Sequence, residues 1–316
     1  MRPELQIILA LLLDGLLGDP CWLPHPVRLI GRLAVRTEGV FRRRLPDERW
    51  AGIATVLFVL AVTGTAGGVV LWGAARVHPR LGDAVAILLL YTSFASRDLL
   101  AHSRRVYRAL AAADLARARR RVALLVGRDT GGLDQAGVVR ACVESVAENS
   151  ADGIVAPLFW AVVGGPLGAL LYKAASTLDS TFGYRNERYR RFGWGAARLD
   201  DLANLLPARL TGLGLVVAAF LLPGLDGQSA WRIYCRDRQQ HASPNSGYPE
   251  AAAAGALGLQ LGGTSSYFGV VVAKPTIGDP LTAPRPDHIL AMNRLALALT
   301  LLAALALPGG LLLLTG

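Results

Sequence analysis

Apolar positions in this chain gather into long blocks, separated by short arginine-rich stretches. Residues 51–75 carry no charge. At about 1.5 Å of rise per residue they make a helix of roughly 37 Å, enough to cross a hydrocarbon core of ~30 Å with some tilt. Residues 295–314 form a second uncharged, Leu/Ala-rich span. Residues 5–17 are interrupted by Asp14, and 84–95 are short. Residues 154–175 and 202–222 are long enough, although the first contains Pro157, Gly164, Gly165 and Pro166. Residues 257–273 are Gly-rich and form the weakest candidate. The N-terminal run has Arg2 but no small-residue cleavage site after it, so it reads as retained rather than as a leader.

The longest polar stretch runs from about 96 to 152. Residues 109–125 have helical character with Arg117, Arg119, Arg120 and Arg121 on the polar side. Asp134 is a natural N-cap for a helix to about Asn149, with Val138, Val139, Cys142, Val143 and Val146 on its apolar face. Strand signals are nearly absent, no internal repeat is visible, and no low-complexity linker divides the chain. The expectation is an all-α fold: one polytopic membrane-embedded helical bundle over 1–316, with cytoplasmic helical loops.

Composition agrees. Hydrophobic residues supply 53% of the 316 positions and charged residues 18%, where a soluble domain keeps about a quarter charged. The net charge of +10 is mostly arginine. Seven Arg lie within 28–49 and ten within 97–140, whereas the short connection 76–83 has two. Basic loops mark the cytoplasmic side, so those two regions are expected inside and 76–83 outside. Segment 154–175 then conflicts with the basic loop that follows it. A re-entrant or bundle-buried element resolves the conflict, because broken backbone is tolerated at membrane depth inside protein. Basicity in so apolar a chain points to a bilayer rather than to nucleic acid. Cys21, Cys142 and Cys235 form no CxxC pair and indicate neither a disulfide framework nor zinc.

Polar side chains capable of chemistry fall into five clusters. Asp14, Asp19, His25 and Arg28 come first; Asp14 sits in an apolar run, where a carboxylate needs a partner or a purpose. Glu144 and Glu148 are four apart on the 134–149 helix, with Asn149 adjacent and Asp152 four further on. One face can therefore present two or three carboxylates, either as Mg²⁺ ligands or as a solvated acidic face with Arg140 paired to Glu144. Lys173, Asp179, Tyr184 and Arg185 follow the glycine-broken segment; the cations suit a phosphate, or else snorkel to an interface. Asp200 and Asn204 share a face, with Asp201, Arg198 and Arg209 nearby. Arg236, His241 and Asn245 end the series, in a stretch that continues through Glu250 to Lys274. P-loop, nucleophile-elbow and zincin motifs are missing, so phosphate chemistry would need another kind of site.

In order, these clusters resemble the adenosylcobinamide-phosphate synthase (CbiB/CobD) family of cobalamin biosynthesis. The matching stretches are DGLLGDPCWLPHPVRLIGRL at 14–33, VGRDTGGLD at 126–134 and VESVAENSADGIVAPLFWAVVGGPLGALLYKA at 143–174. They continue with TLDSTFGYRNERYRRFGWGAARLDDLANLLPARLT at 177–211 and RDRQQHASPNSGYPEAAAAGALGLQLGG at 236–263. Ser176 stands where the family usually has Asn, and Thr181 where it usually has Met.

The resemblance implies ATP- and Mg²⁺-dependent amide formation between adenosylcobyric acid and an amino-alcohol phosphate, typically (R)-1-amino-2-propanol O-phosphate. It also implies a plasma- or inner-membrane location with a cytoplasm-facing site, and late cobalamin-pathway membrane enzymes as neighbours. On that reading Glu144, Glu148, Asp152, Asp200 and Asp201 are the metal candidates. Glu148, Asp152, Asp200, Asp201 and His241 serve catalysis, and the remaining cluster residues contact substrate. A Mg²⁺-dependent membrane phosphotransferase is a rival that corrinoid-independent activity would favour. A transporter is another, marked by flux without ATP turnover; no inverted repeat supports it.

Overall fold

The computed structural model describes residues 1–20, 22, 25–184, 186–267 and 269–315, with side chains through 309. Helices dominate, as the apolar blocks predict. Segments Glu48–Val77, Pro79–Ala111, Gln135–Phe182 and Asp287–Gly309 are long and apolar enough to cross a membrane, and Trp194–Leu221 makes a fifth if its broken halves count as one span. The protein is a polytopic helical membrane protein. The chain divides into two compact units.

Unit 1 holds Met1–Ala95, Ala156–Asn204 and Ala306–Gly316. Its helices are α1 (Pro3–Leu17), α2 (Pro26–Arg44), α3 (Glu48–Val77), α4 (Pro79–Tyr91), α8 (Ala156–Phe182) and α9 (Trp194–Ala203). His25 caps α2 by accepting from the Val27 N–H, and Asp47 caps α3 through Arg49 and Trp50. Ile30, Ala34, Val56, Val59, Leu170, Leu178, Phe182 and Phe192 build the core. Small residues let the helices close up: a Cβ on Gly67 of α3 would lie 2.7 Å from Leu170 of α8. Helix α8 is not straight. Gly164 and Gly165 leave helical geometry, Gly165 at φ +61°, and Pro166 starts the next helical stretch. A Cβ on Gly168 would lie 2.3 Å from the Trp160 carbonyl oxygen, whereas eight residues of straight helix rise about 12 Å. The chain therefore turns sharply at Gly164–Gly165. The 154–175 block is broken at the glycines that marked it in the sequence.

Unit 2 holds Ser96–Val155 and Leu205–Leu305. It contains α5 (Ser96–Ala111), α6 (Leu115–Val122), α7 (Gln135–Ser150), a π-helical turn at Ala151–Val155, α10 (Leu205–Leu221), α11 (Gly227–Asp237), α12 (Gly247–Leu257), strands β1 (Leu261–Tyr267) and β2 (Val270–Ile277), and most of α13 (Asp287–Thr315). Helix α7 begins as predicted, with Asp134 accepting from the Gly137 N–H at 2.7 Å, and all five of its predicted apolar residues are fully buried.

Three expectations are corrected. The single helix at 109–125 is two, because Ala113 adopts φ +56° and Asp114 caps a new helix through the Arg117 N–H. The weak span at 257–273 is no span: Gly258, in the left-handed region, ends α12, and an antiparallel hairpin follows. Strand signals were therefore present. Val270, Val271 and Val272 are β-branched, and Gly262 and Gly263, both at positive φ, sit at an irregularity in the register.

Candidate functional site

In unit 2, Glu144 and Glu148 occupy successive turns of α7 and line a polar cavity of about 210 Å³. Four other segments complete it. The loop after α6 brings Gly127 and Arg128; the connection between α11 and α12 brings His241; α12 brings Glu250; the hairpin brings Gly262, Tyr267, Lys274 and Pro275. Arg128 pairs with Oε2 of Glu144, and its other guanidinium nitrogen donates to Ser265 Oγ at 3.2 Å. Oε1 of Glu144 accepts from the Gly262 N–H at 2.7 Å. Both oxygens of Glu144 are thus committed to holding the hairpin on α7. The Arg140 pairing weighed from sequence is replaced by Arg128, which reaches in from the VGRDTGGLD stretch. Asp129 adds to the same clasp, accepting from Ser266 Oγ at 2.6 Å and from the Gly269 N–H at 2.8 Å.

Glu148 is held differently. One oxygen accepts from Ser246 Oγ at 2.7 Å, and no arginine is paired with it among the described residues. His241 accepts the Ser243 N–H at Nδ1, 3.0 Å away, so in the neutral ring Nε2 carries the proton. That nitrogen lies 3.9 Å from Glu250 Oε1. Burial lowers the His241 pKa, which favours this neutral form. Burial, reinforced by Glu144 and Glu148, holds the Glu250 pKa well above the usual carboxylate range. Lys274 donates to the Tyr267 hydroxyl across the hairpin. At Arg128 burial opposes the charge, but Glu144 outweighs it and the pKa is raised. The cavity thus combines a buried acid, a hydroxyl-held carboxylate, an imidazole N–H donor and two cations.

Of the residues picked from sequence, Glu144, Glu148 and His241 meet here. Asn149 turns back to Ser145, whose side chain lines the cavity. Asp152 lies in the π turn, half-buried, where the change of helical pitch takes it off the Glu144–Glu148 row; it does not line the cavity. Asn245 is buried beside Ser243. Arg209 stacks over the Tyr248 ring at 4.5 Å. Arg236 is gripped by Asp237 and by Asp279, the latter at 2.8 Å. Sequence reasoning left out Arg128, Glu250, Tyr267 and Lys274 as site residues. Arg128, Glu250 and Lys274 stood in polar stretches it had noted and Tyr267 in the stretch read as a weak span; Arg128 reaches Glu144 directly, whereas Tyr267 and Lys274 arrive only with the hairpin.

Unit 1 holds the other picks. Asp14 is fully buried in α1. Asp19 and His25 are 3.3 Å apart. Arg28 lies in the first turn of α2, and Lys173 and Asp179 on α8. Tyr184 is 44% exposed beyond α8. Asn204 accepts from the Tyr172 hydroxyl at 2.9 Å and donates to Asp200 at 3.1 Å, and Arg198 approaches Asp201 at 3.8 Å. Arg185 lies outside the described residues.

The Arg236–Asp237–Asp279 group behaves as structure. Asp237, 2% exposed, also accepts the Gly278 N–H at 2.8 Å. Hydrogen bonding from Arg236 lowers its pKa below the ordinary 3.8. A lowered folded-state pKa means stabilisation that is present above that ordinary value and lost as pH falls through the folded value. Asp237→Asn should therefore cost about 1.5–3 kcal/mol at pH 7, the scale for losing a hydrogen bond to a charged group, since Arg236 is half-exposed and keeps Asp279. Thermal melting should show that gap closing in acid, because the wild type alone loses the ionised carboxylate.

Among the described residues, no three His, Cys, Asp or Glu side chains close on one point as a metal cage. Glu144 is saturated by Arg128 and Gly262. Glu148 and Glu250 are the cavity carboxylates with no arginine partner among the described residues, so they are the ones that would hold a Mg²⁺ ion if one binds there with substrate phosphates.

The family model described as CobD/Cbib protein matches residues 7–296. The chain is 54% identical over 275 residues to a cobalamin biosynthesis protein CobD of Geobacter metallireducens, covering 87% of this chain and 86% of that one. It is 50% identical to the one from Pelobacter propionicus, covering 96% and 94%, and 49% identical to that of Desulfotalea psychrophila, covering 96% of each. No solved structure matches the chain. A polytopic helical chain matched along nearly its whole length, with carboxylates, imidazole and cations gathered in one cavity, belongs to the CobD/CbiB family of cobalamin biosynthesis proteins.

Proposed function

We propose that this protein is an adenosylcobinamide-phosphate synthase. It would join the carboxylate of adenosylcobyric acid to an amino-alcohol phosphate, (R)-1-amino-2-propanol O-phosphate or a close relative, at the expense of ATP. The observation that carries this reading is the unit 2 cavity, where Glu148, unlike Glu144, has no arginine partner among the described residues. A carboxylate is a poor electrophile until its oxygen becomes a leaving group, and phosphorylation by ATP supplies one. The attacking amine must then lose a proton. Glu148 is the acceptor, because Nδ1 of His241 is already used by Ser243 and its Nε2 is a donor. His241 and Lys274 donate to the oxygens that gain charge. Glu148 and Glu250 would hold Mg²⁺, which would supply positive charge for the ATP phosphates.

The unit 1 candidates, Lys173 and Asp179 with Asp200 and Asp201, bind substrate phosphate and cation on this reading. The arginine-rich 28–49 and 97–140 regions face the cytoplasm, by their basic excess. The lipid bilayer is the one standing partner, and late cobalamin-pathway enzymes are the expected neighbours. The test is purified protein in nanodiscs with adenosylcobyric acid, amino-propanol phosphate and Mg-ATP. A corrinoid heavier by the amide-linked phosphate, formed together with ADP, is expected. ATP turnover without a change in corrinoid mass would reject the assignment in favour of a phosphotransferase.

A further inference from the structure

Charges around the unit 2 cavity are matched in pairs, with one exception of each sign. Arg128 meets Glu144, and His241 faces Glu250 with Nε2 3.9 Å from Oε1. Glu148 and Lys274 are left. Among the described residues each is bonded only to a neutral hydroxyl, Glu148 to Ser246 at 2.7 Å and Lys274 to Tyr267. Both line the cavity, Glu148 from α7 and Lys274 from β2, yet among the described residues they are not paired with each other. A cation alone would answer Glu148 and be repelled by Lys274, and an anion alone would meet the reverse. A ligand that carries both signs answers both walls at once.

Size narrows the ligand further. A volume of about 210 Å³ lies below the ~300–1,000 Å³ of pockets that enclose drug-sized molecules. The cavity takes a small zwitterion whole, whereas a nucleotide or a corrin ring can extend only an arm into it. Glu148 and Lys274 are half-buried, so a ligand can reach them. Lys274 has donors beyond the one it gives Tyr267, and the Tyr267 hydroxyl, having accepted from Lys274, still has its own proton to donate. Together they suit an anion with several acceptor oxygens, such as a phosphate. Ser246 uses Oε1 of Glu148, and Oε2 is left to accept from an ammonium. A metal ion on Glu148 would answer only the negative wall and would compete with that ammonium.

We propose that the unit 2 cavity is the amine subsite, in which Lys274 and Tyr267 hold the phosphate of a small amino-alcohol phosphate and Glu148 holds its ammonium. This deepens the ligation reading and rests on it only for the identity of the zwitterion. The test measures dissociation constants by titration calorimetry on full-length protein in nanodiscs, with EDTA and without ATP. The ligands compared are 1-amino-2-propanol O-phosphate, isopropyl phosphate and 1-amino-2-propanol. The zwitterion should bind at least about tenfold more tightly than either half, the scale of one hydrogen bond to a charged group. Lys274→Gln should erase its advantage over the unphosphorylated amine, and Lys274→Arg should keep most of it. Glu148→Gln should erase instead its advantage over isopropyl phosphate. Equal affinity of the wild type for isopropyl phosphate and the zwitterion, binding that requires Mg²⁺, or preferences that both substitutions to Gln leave intact would each overturn the proposal. The expected pattern in a protein that makes no amide product would keep the subsite and remove the ligation reading. Amide product from a protein whose preferences neither substitution changes would do the opposite.

Discussion

Glu148→Gln is expected to cut amide formation at least about 10²-fold while leaving the fold intact, and Glu144→Gln is expected to do the reverse. The two residues are one helical turn apart on α7, yet their partners differ. Among the described residues Glu148 keeps only a neutral hydroxyl bond from Ser246, which glutamine can also accept. The substitution therefore removes a proton acceptor and a potential metal ligand without leaving a buried charge. Positioned proton transfer is worth 10²–10⁴ in rate, and two decades correspond to ~3 kcal/mol of barrier. Glu144 instead neutralises Arg128 and receives the Gly262 N–H. Glutamine there leaves a buried guanidinium without its counter-charge, so a lower melting temperature should precede any loss of turnover. Single-turnover rates measured beside thermal melts separate the two cases. Near-wild-type turnover in Glu148→Gln would reduce that carboxylate to a structural charge.

Elements written in local pattern were legible. The uncharged 51–75 block lies within α3, and Asp134 opens α7 where the capping pattern put it. The break in α8 stands at Gly164–Gly165, residues whose freedom to leave helical φ/ψ is visible in the letters alone. The hairpin was not legible. Its strands follow an all-buried, alanine-rich helix in one unbroken low-charge stretch, and hydropathy cannot separate β-branched edge residues from a weak span. The site was half legible for the same reason. Glu144 and Glu148 announce themselves by their spacing on one helix. Arg128 reaches Glu144 directly from 16 residues away, and Lys274 and Tyr267 join only after β1 pairs with β2 and Gly262 docks on Glu144, 118 residues away in sequence.

That dependence on docking makes Arg128 the residue whose loss should cost the most stability. Its guanidinium ties α7 to β1 by bonding Glu144 and Ser265 at once, and only 13% of its side chain is exposed. Arg128→Met preserves much of the apolar stem but strands the Glu144 carboxylate, 6% exposed, with the Gly262 N–H as its remaining partner. Breaking a buried pair by removing one member costs about 3–5 kcal/mol, mostly as the penalty on the charge left behind. The double variant Arg128→Met with Glu144→Gln removes that charge and should recover a large part of the loss, giving a coupling energy well outside additivity. Hydrogen exchange places the effect: amides of 261–277 should exchange faster in the single variant, while those of α11 should not. Equal destabilisation in the single and double variants would mean that Arg128 acts through packing alone and that the hairpin is held by Asp129 without it.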